Sequence, residues 1–560
     1  MGSTTRVPDL ATRAPQTAGV MPQGEGCEAS CQASATSASD KDFYIPVPPP
    51  SCIDPCILEA NRRVEDVDYL FSVVSKTFPF FGVHSRLGYE PWTSKHEQWL
   101  KQARRAEEPS EFAAVIDGMM KALHTGHAAV LSEIVVRFYA EKDNPSMRPY
   151  QEVLSQALSS AVYWDSVLKE ERRPPLKFDA YYLDGRYLLR DDLELVDGSR
   201  LPAGTPIVGI DGLSVDEYIS RNQESLILRE DAITGGIFAK NLLSELSEDS
   251  GVEFEVDDLG TRATVRSIDV QERSRCMTHR PSPGRYFYLD LIPGEVAYVK
   301  LDSFKSMRKE PGRAAAFERF IDEHADARAV ILDLRGNTGG SSVLWSDEIL
   351  GAMLSSGIST EVYYGLNANE TTRDFIDAKI EPISTIFPGE RAPANVFDEL
   401  RRGEINALYR REEFFDGKRK RPLTAKIYLL VDRDVYSSSE MFAAWAKASG
   451  WAVIVGEQTG GDGIGVDPFP AVLPNSLMAV RFPWILGASS DGAINEQEGT
   501  IPDVVTTWQV EDWRGRCDAV QRMKKLEPEQ GIWNETNARE LLLKHDPDVA
   551  AALRDLRRRD

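Results

Sequence analysis

Reactive side chains follow two strongly apolar segments of the sequence. The first apolar segment is residues 329–334. A loop, residues 333–340, begins at its end and reads Asp-Leu-Arg-Gly-Asn-Thr-Gly-Gly. Residues 427–431 lead into Asp-Arg-Asp-Val-Tyr-Ser-Ser-Ser-Glu, residues 432–440, and then into a helical pattern. Short apolar runs of this kind predict buried parallel strands, and α/β proteins bind ligands at the carboxyl edge of such a sheet. Both segments are therefore candidates for a functional site.

The glycine-rich loop lacks the signature of a nucleotide site. A phosphate-binding loop ends in Gly-Lys followed by Ser or Thr, whereas this loop continues Gly340-Ser341-Ser342. Its exposed backbone N–H groups can instead face an anion or a developing oxyanion. A plain strand-to-helix turn is the alternative interpretation.

Three consecutive serines, residues 437–439, mark the predicted start of the helix after the second strand. A helix cap explains them simply: Ser437 or Ser438 accepts from the first free amides, and Glu440 completes a capping box. The functional alternative uses the same place, because a nucleophilic hydroxyl at a helix N-terminus has a free amide beside it that stabilises an oxyanion. The serines alone leave both interpretations open.

Five segments, in a fixed order along the chain, favour the functional interpretation. They are Leu123-His124-Thr125-Gly126-His127, residues 333–340, residues 432–440, Val455-Gly456-Glu457-Gln458-Thr459-Gly460-Gly461, and Glu498-Gly499-Thr500-Ile501-Pro502-Asp503-Val504. With them the sequence resembles the carboxy-terminal-processing (tail-specific) protease family, which also includes tricorn-type proteases and interphotoreceptor retinoid-binding proteins. The resemblance covers residues 60 to 508, approximately.

The predicted fold class is α+β and multidomain. Apolar side chains at helical spacing predict an N-terminal helical bundle over 57–177, and short strands between turns predict a β-rich module over 178–275. Alternating strands and helices predict an α/β catalytic core over 290–508. A Pro- and Ser-rich arm, 1–56, precedes these parts, and a helical tail, 509–560, follows them. By resemblance, the β-rich module is a degenerate PDZ-like module that binds or gates peptide, and the core is crotonase-like.

The resemblance implies a serine nucleophile, which by position is Ser437. In one branch of the family a lysine within Gly-Lys-Gly is the base, but this chain has Gly461-Asp462-Gly463 there, so that mechanism is excluded and Asp462 is expected to be dispensable. Another branch, including tricorn and a secreted chlamydial protease, uses an upstream histidine and a glutamate before G-x-x-P-D. Those positions are His127 and Glu496. The resemblance therefore implies a Ser-His-Glu triad.

In these roles His127 removes the proton of the serine at neutral pH. Glu496 fixes the tautomer of the imidazole and stabilises the imidazolium. The amides of Ser438 and of a loop glycine, Gly339, hold the tetrahedral oxyanion.

Other residues compete for two of these roles. His124 lies close enough in sequence to be the base in place of His127. Glu498 and Asp491 compete with Glu496 as the orienting carboxylate. The remaining histidines show no metal-binding spacing such as HExxH, so neither a metal nor a cofactor is expected.

The resemblance implies a serine endopeptidase, a hydrolase of protein or precursor-peptide substrates. Histidine-type relatives occur in filamentous fungi, some in gene clusters for ribosomal cyclic-peptide mycotoxins such as ustiloxin and phomopsin. Maturation of a ribosomally made peptide, a step of secondary-metabolite biosynthesis, is therefore an implied role. The alternative is a catalytically inactive relative that binds peptide or carries an apolar ligand. Whether Ser437 and His127 meet in one cleft discriminates between these functions.

The composition excludes other classes of function. The 560 residues include 65 basic and 88 acidic ones, a net charge of −23 that opposes phosphate backbones and anionic lipids. No segment approaches ~18 consecutive apolar residues, and the first residues lack the apolar region of a signal peptide. We predict no nucleic-acid partner and no transmembrane segment, and leave the compartment and the oligomeric state open. Four of the six cysteines lie in the arm, where disulfides or free thiols are expected rather than zinc: Cys27, Cys31, Cys52 and Cys56.

Overall fold

The computed structural model describes residues 58–142, 144–171, 176–183, 185–244, 246–256, 260–277, 286–304, 312–526 and 533–558. The predicted arm, 1–56, with its four cysteines lies outside these residues. Within the described ranges, each helix is too short or too polar to span a bilayer. The structure mixes helices and sheets, as the sequence predicts.

Helices dominate the first part of the described chain. The face of α4 that carries Phe112, Ile116 and Met119 is buried, because these apolar side chains recur at helical spacing. The elements are α1 (Ala60–Thr77), α2 (Phe81–Arg86), α3 (His96–Arg105), α4 (Pro109–Lys121), the short strand β1 (Ala129–Val130), α5 (Glu133–Ala140), α6 (Arg148–Leu154) and α7 (Ala161–Glu171).

Short strands follow, in three small sheets. Their elements are β2 (Ala180–Leu183), β3 (Arg186–Leu189), β4 (Leu193–Leu195), β5 (Arg200–Leu201), β6 (Pro206–Ile210), β7 (Leu213–Ser214), α8 (Val215–Arg221), β8 (Leu228–Glu230), β9 (Ile237–Ala239), β10 (Val252–Glu255), β11 (Arg262–Val265) and β12 (Val270–Arg273). One sheet has the order β11-β10-β6-β3-β2 with β7 beside β6, the second is β12-β4-β5, and the third pairs β8 with β9.

The next part of the chain supplies the elements around the site. They are β13 (Phe287–Ile292), β14 (Val296–Lys300), α9 (Arg313–Glu323), β15 (Ala329–Asp333), α10 (Gly351–Met353), β16 (Ile358–Leu366), α11 (Arg373–Phe375), β17 (Thr385–Ile386), α12 (Ala394–Arg402), β18 (Ala407–Phe415), β19 (Lys426–Val431), α13 (Ser438–Ala448), β20 (Val453–Gly456), β21 (Phe469–Val472), β22 (Ala479–Phe482), β23 (Leu486–Ala488), α14 (Asn495–Glu498) and β24 (Val504–Val505).

A six-stranded sheet of order β13-β14-β15-β19-β20-β24 forms the centre of this part. From β14 onward all pairs are parallel. Every residue of β15 is buried, as expected for a parallel strand covered on both faces. Since β15 and β19 are parallel neighbours, with Asp333 opposite Leu430, the loops that follow them emerge at the same edge.

A second sheet, of order β1-β22-β21, joins the helical part to this central part. Ala129 of β1 pairs with Arg481 of β22, and the Leu131 amide donates to the Ala479 carbonyl oxygen at 2.8 Å. The residues just before β1 are thereby held against the central part. A third sheet, β17-β18-β16-β23, lies beyond it.

The C-terminal helices are α15 (Val510–Leu526), α16 (Glu535–Lys544) and α17 (Pro547–Arg558). A buried ion network ties them to the loop after β15: Arg335 donates to Asp546 at 2.9 Å and to Asp548 at 2.7 Å. A disulfide between Cys276 and Cys517 links α15 to the segment after β12.

Candidate active site

Ser437 lies in a sharp turn between β19 and α13. Its backbone has φ 60° and ψ −127°, a conformation that side chains other than glycine rarely adopt. A strained strand-to-helix turn of this kind exposes the hydroxyl of a nucleophilic serine. The Ser437 side chain makes no helix-capping hydrogen bond. Glu440, the other half of the expected capping box, instead accepts from Asn495 and Thr500, both at 2.7 Å.

The other two serines of the triplet have structural partners. Ser438 Oγ accepts from the Trp345 indole N–H at 3.2 Å. Ser439 Oγ donates to the Asn337 carbonyl oxygen at 2.5 Å and is buried. Ser437 is the member of the triplet whose hydroxyl meets a histidine.

His127 reaches the site from the helical part because β1, two residues later, pairs with β22. Its Nε2 lies 3.1 Å from Ser437 Oγ. Its Nδ1 lies 2.7 Å from Asp462 Oδ2. Ser437, His127 and Asp462 therefore form a continuous hydrogen-bonded chain, in which the imidazole has a carboxylate on one side and a hydroxyl on the other.

Asp462 Oδ2 is the acceptor at which this network converges. Besides His127, it accepts from Thr125 Oγ1 at 2.9 Å and from the Tyr436 hydroxyl. Burial alone raises the pKa of Asp462, but the charge of His127 and these hydrogen bonds outweigh burial and lower it below its usual range. Gly126 leaves room for this contact, because a Cβ there would lie 2.8 Å from the Tyr436 hydroxyl oxygen.

The expected placement of Glu496 against the histidine is corrected by this geometry. No contact joins Glu496 to His127, because the Asp462 carboxylate already occupies Nδ1. Glu496 is buried beside Asp462, and its Oε1 accepts from Arg229 at 3.3 Å. Burial and the neighbouring Asp462 charge raise the pKa of Glu496 well above its usual range. The pKa values of these two neighbouring carboxyl groups are thus shifted in opposite directions, lowered for Asp462 and raised for Glu496.

The competing residues lie in other surroundings. His124 stacks on Tyr89 with ring centroids 3.6 Å apart, and its Nδ1 lies 2.9 Å from the Leu226 carbonyl oxygen. Burial lowers the pKa of His124 to about 3. Asp491 accepts from Ser489 and from the Ala493 amide in its own turn.

The loop after β15 packs directly behind Ser437. Gly339 has φ 91°, and a Cβ there would lie 2.7 Å from the Tyr436 carbonyl oxygen, so the close approach requires glycine. The Gly339 amide donates to Asn337 Oδ1 at 2.9 Å, which removes it from the expected oxyanion site. The amides of Gly340 and Ser438 have no acceptor within the described part of the chain. Gly340 and Ser438 both line the cleft at Ser437.

Ser437, His127 and Asp462 open into a cleft of about 800 Å³. Its other walls come from the helical part, the segment around Lys379 and the strands β21 to β23. An open groove of this size accommodates several residues of an extended peptide.

Comparison with known proteins agrees with the geometry. Residues 295–506 match peptidase family S41. The chain contains a serine-type peptidase domain of family S41.

Solved structures similar to this chain include mature CPAF, with 14% identity and a TM-score of 0.51 over 84% of this chain and 99% of that one. A complex of mature CPAF with lactacystin has 14% identity and a TM-score of 0.50 over 84% and 98%. The photosystem II D1 C-terminal processing protease has 15% identity and a TM-score of 0.40 over 82% and 97%. At such low identity, the likeness to CPAF shows a shared fold. The comparison with curated protein sequences gave no match.

The sequence alone did not indicate every residue that the structure places at this site. Asp462 was interpreted as a lost lysine, although the carboxylate contacts the imidazole directly. The sequence did not indicate Arg229, which reaches Glu496 from β8, 267 residues away. The sequence feature that could have indicated Tyr436 is its position directly before Ser437.

Proposed function

We propose that the chain is a serine endopeptidase in which Ser437 is the nucleophile, His127 the general base and Asp462 the carboxylate that orients His127. The observation that carries the proposal is the position of the His127 imidazole, 3.1 Å from Ser437 Oγ and 2.7 Å from Asp462 Oδ2. Hydrogen-bond reach on both sides is what this reaction requires of its base.

The peptide bond is cleaved in two stages. Ser437 Oγ attacks the carbonyl carbon while its proton moves to His127 Nε2, and the carbonyl oxygen takes the negative charge. The C–N bond then breaks, and the imidazolium returns the proton to the leaving amine. In the second stage water attacks the acyl-enzyme while His127 takes its proton, and as the ester bond breaks the imidazolium returns that proton to Ser437 Oγ. Asp462 stabilises the imidazolium in both stages.

The amides of Gly340 and Ser438 are proposed as the oxyanion donors. Both line the cleft, and both lack an acceptor in the described chain. A preorganised amide of this kind contributes ~3 kcal/mol of transition-state stabilisation. Gly339, whose amide is engaged by Asn337, holds the loop in position instead.

The Glu496 carboxyl supports the site from one hydrogen bond further away. With its proton it donates to Asp462, and Arg229 holds its other oxygen. The triad implied by the resemblance becomes a series of four groups, Ser437, His127, Asp462 and Glu496, in which the two acids have different protonation states.

The test is active-site labelling with a fluorophosphonate, together with cleavage of casein. Wild type should label at Ser437 and cleave casein, while Ser437→Ala should lose both. His127→Gln should lower labelling and turnover by about 10³-fold or more, since no other base reaches the serine. A folded wild type that neither labels nor cleaves would support the alternative, an inactive relative that binds peptide or an apolar ligand.

Processing of a ribosomally made precursor peptide stays a prediction from the resemblance. It is tested by incubating the enzyme with a precursor peptide from the same gene neighbourhood and mapping the cleavage sites by mass spectrometry. Cleavage of casein but not of the precursor would separate this role from the proposed activity.

A further inference from the structure

One charged side chain that lines the cleft has no ion-pair partner. Five Lys, Arg, His and Asp side chains line the cleft, and two of them, His127 and Asp462, belong to the proposed reaction. Lys379 and Asp467 neutralise each other through an ion pair of 2.8 Å. The fifth, Arg481, forms no ion pair with any carboxylate of the described residues. Arg481 is therefore a cleft cation without a carboxylate partner among the described residues.

Arg481 is held at a defined place relative to the proposed nucleophile and base. It lies on β22 directly across from Ala129, which follows His127 by two residues. Directly paired Cα atoms lie ~5 Å apart, and two extended residues span at most ~7 Å. The Arg481 backbone is therefore at most ~12 Å from that of His127, within the length of a few substrate residues.

The Arg481 guanidinium is partly withdrawn from water without full compensation. Its Nε is buried and has no hydrogen-bond acceptor. The neighbouring group is the hydroxyl of Tyr139, a neutral oxygen that itself donates to Asp467 at 3.2 Å. A buried donor without an acceptor is costly, and a ligand that supplies an acceptor recovers that cost.

We propose that Arg481 is a specificity-determining residue that binds a carboxylate of the substrate beside the scissile bond. A guanidinium pairs with a carboxylate through two parallel hydrogen bonds, which fixes the position as well as the charge of the group bound. An acidic side chain and a free C-terminal carboxylate offer the same chemistry. The inference rests on the proposed peptidase activity and names the substrate class of that site.

The experiment compares matched peptides. A peptide that wild type cleaves is made with a single Glu at each of the three positions on either side of the scissile bond, and again with Gln. A second series carries a free C-terminal carboxylate or a C-terminal amide. For one series, kcat/KM of wild type should be at least about 10-fold higher for the carboxylate form than for its neutral counterpart. A difference in the first series identifies a side chain as the source, and one in the second identifies the chain end.

Three variants test the assignment to Arg481. Arg481→Gln should reduce the discrimination to within about 2-fold, chiefly by loss of kcat/KM for the carboxylate substrate. Arg481→Lys should retain part of it, because the charge stays while the two-point geometry is lost. Arg421→Gln, an exposed arginine paired with Asp326 away from the cleft, is the control and should keep the wild-type ratio.

The outcomes separate this inference from the proposed function. If Arg481→Gln still labels with fluorophosphonate but its preference for the carboxylate substrate disappears, the inference is supported. If wild type labels and cleaves but treats both members of every pair alike, or if Arg481→Gln keeps the preference, the assignment to Arg481 is overturned and the peptidase activity stands. A wild type that neither labels nor cleaves overturns both.

Discussion

A single oxygen atom, Asp462 Oδ2, organises the chemistry at the scale of residues. His127, Thr125 and Tyr436 all direct hydrogen-bond donors at it. An acceptor with three donors is held rigidly, so the imidazole that depends on it has one orientation and one tautomer. Burial and the adjacent Asp462 charge raise the pKa of Glu496, because a second buried negative charge there is unfavourable.

Isosteric amides at the two acids should have very different effects. Asp462→Asn removes the negative charge and presents either an amide or a neutral oxygen to Nδ1, so kcat should fall by about 10³- to 10⁴-fold. Glu496→Gln keeps a donor toward Asp462, so kcat should fall by no more than about 10-fold. The measurement is kcat for one peptide at pH 7, with circular dichroism to verify folding. A large loss in Glu496→Gln with a small loss in Asp462→Asn would restore Glu496 as the orienting acid.

Short local motifs indicate Ser437 and His127 in the sequence, and the structure places the two side chains 3.1 Å apart. The role of Asp462 was not predicted, because Gly461-Asp462-Gly463 was interpreted as a Gly-Lys-Gly motif that had lost its lysine. The contacts that an acid at this position can make depend on the folded structure. Arg229 and Arg481 could not be found from the sequence: their relation to the site depends on pairing between distant strands. Local patterns predict strand ends and helix starts, whereas contacts between domains depend on the folded topology.

At the scale of elements, the glycine loop after β15 depends on the C-terminal helices. Arg335 lies within that loop and is fully buried. Its acidic partners come both before it and after it in the sequence. It pairs with Asp333 of β15 and with Asp546 and Asp548 at the start of α17. The C-terminal helices therefore compensate a charge two residues beyond the end of β15.

Removing one acid from this network should destabilise the protein. Asp546→Ala leaves part of a buried guanidinium without a partner, which should lower the free energy of unfolding by about 3–5 kcal/mol. The measurement is urea unfolding followed by tryptophan fluorescence. Asp326→Ala breaks an exposed pair with Arg421 and should change it by less than about 1 kcal/mol. Equal effects of the two variants would contradict the compensating role of α17.

At the scale of the whole molecule, the parts of the chain meet around Glu457. It is buried after β20, accepts from the Tyr181 hydroxyl of β2, and lies 3.9 Å from Arg433. Burial raises the pKa of Glu457 from 4.5 to about 8. The folded state therefore retains a proton that the unfolded chain has already released at neutral pH.

This proton makes stability depend on pH. Below pH 4.5 both states are protonated and the group contributes no penalty, whereas between pH 4.5 and about 8 the unfolded chain is favoured increasingly as pH rises. Glu457→Gln removes this titration. Between pH 4.5 and about 8, the free energy of unfolding should therefore fall less for the variant than for wild type. The difference between the two decreases should be at most about 5 kcal/mol. Urea unfolding at a series of pH values measures it, with Glu361→Gln at an exposed pair as the control. Parallel profiles for wild type and Glu457→Gln would show that Glu457 is ionised in the folded protein.

The disulfide between Cys276 and Cys517 fastens α15 to the β-rich part over a sequence separation of 241 residues. Closing so long a loop restricts the unfolded chain strongly, so the bond should stabilise the fold by roughly 2–5 kcal/mol. Reduction with dithiothreitol should lower the thermal unfolding midpoint of wild type by several degrees. In the double variant Cys276→Ala, Cys517→Ala the midpoint should already be low and should not respond to the reductant. Four further cysteines lie in the arm, so the double variant is needed to identify which cysteines respond to the reductant. If dithiothreitol lowered the unfolding midpoint equally in wild type and in the double variant, the effect would belong to the arm.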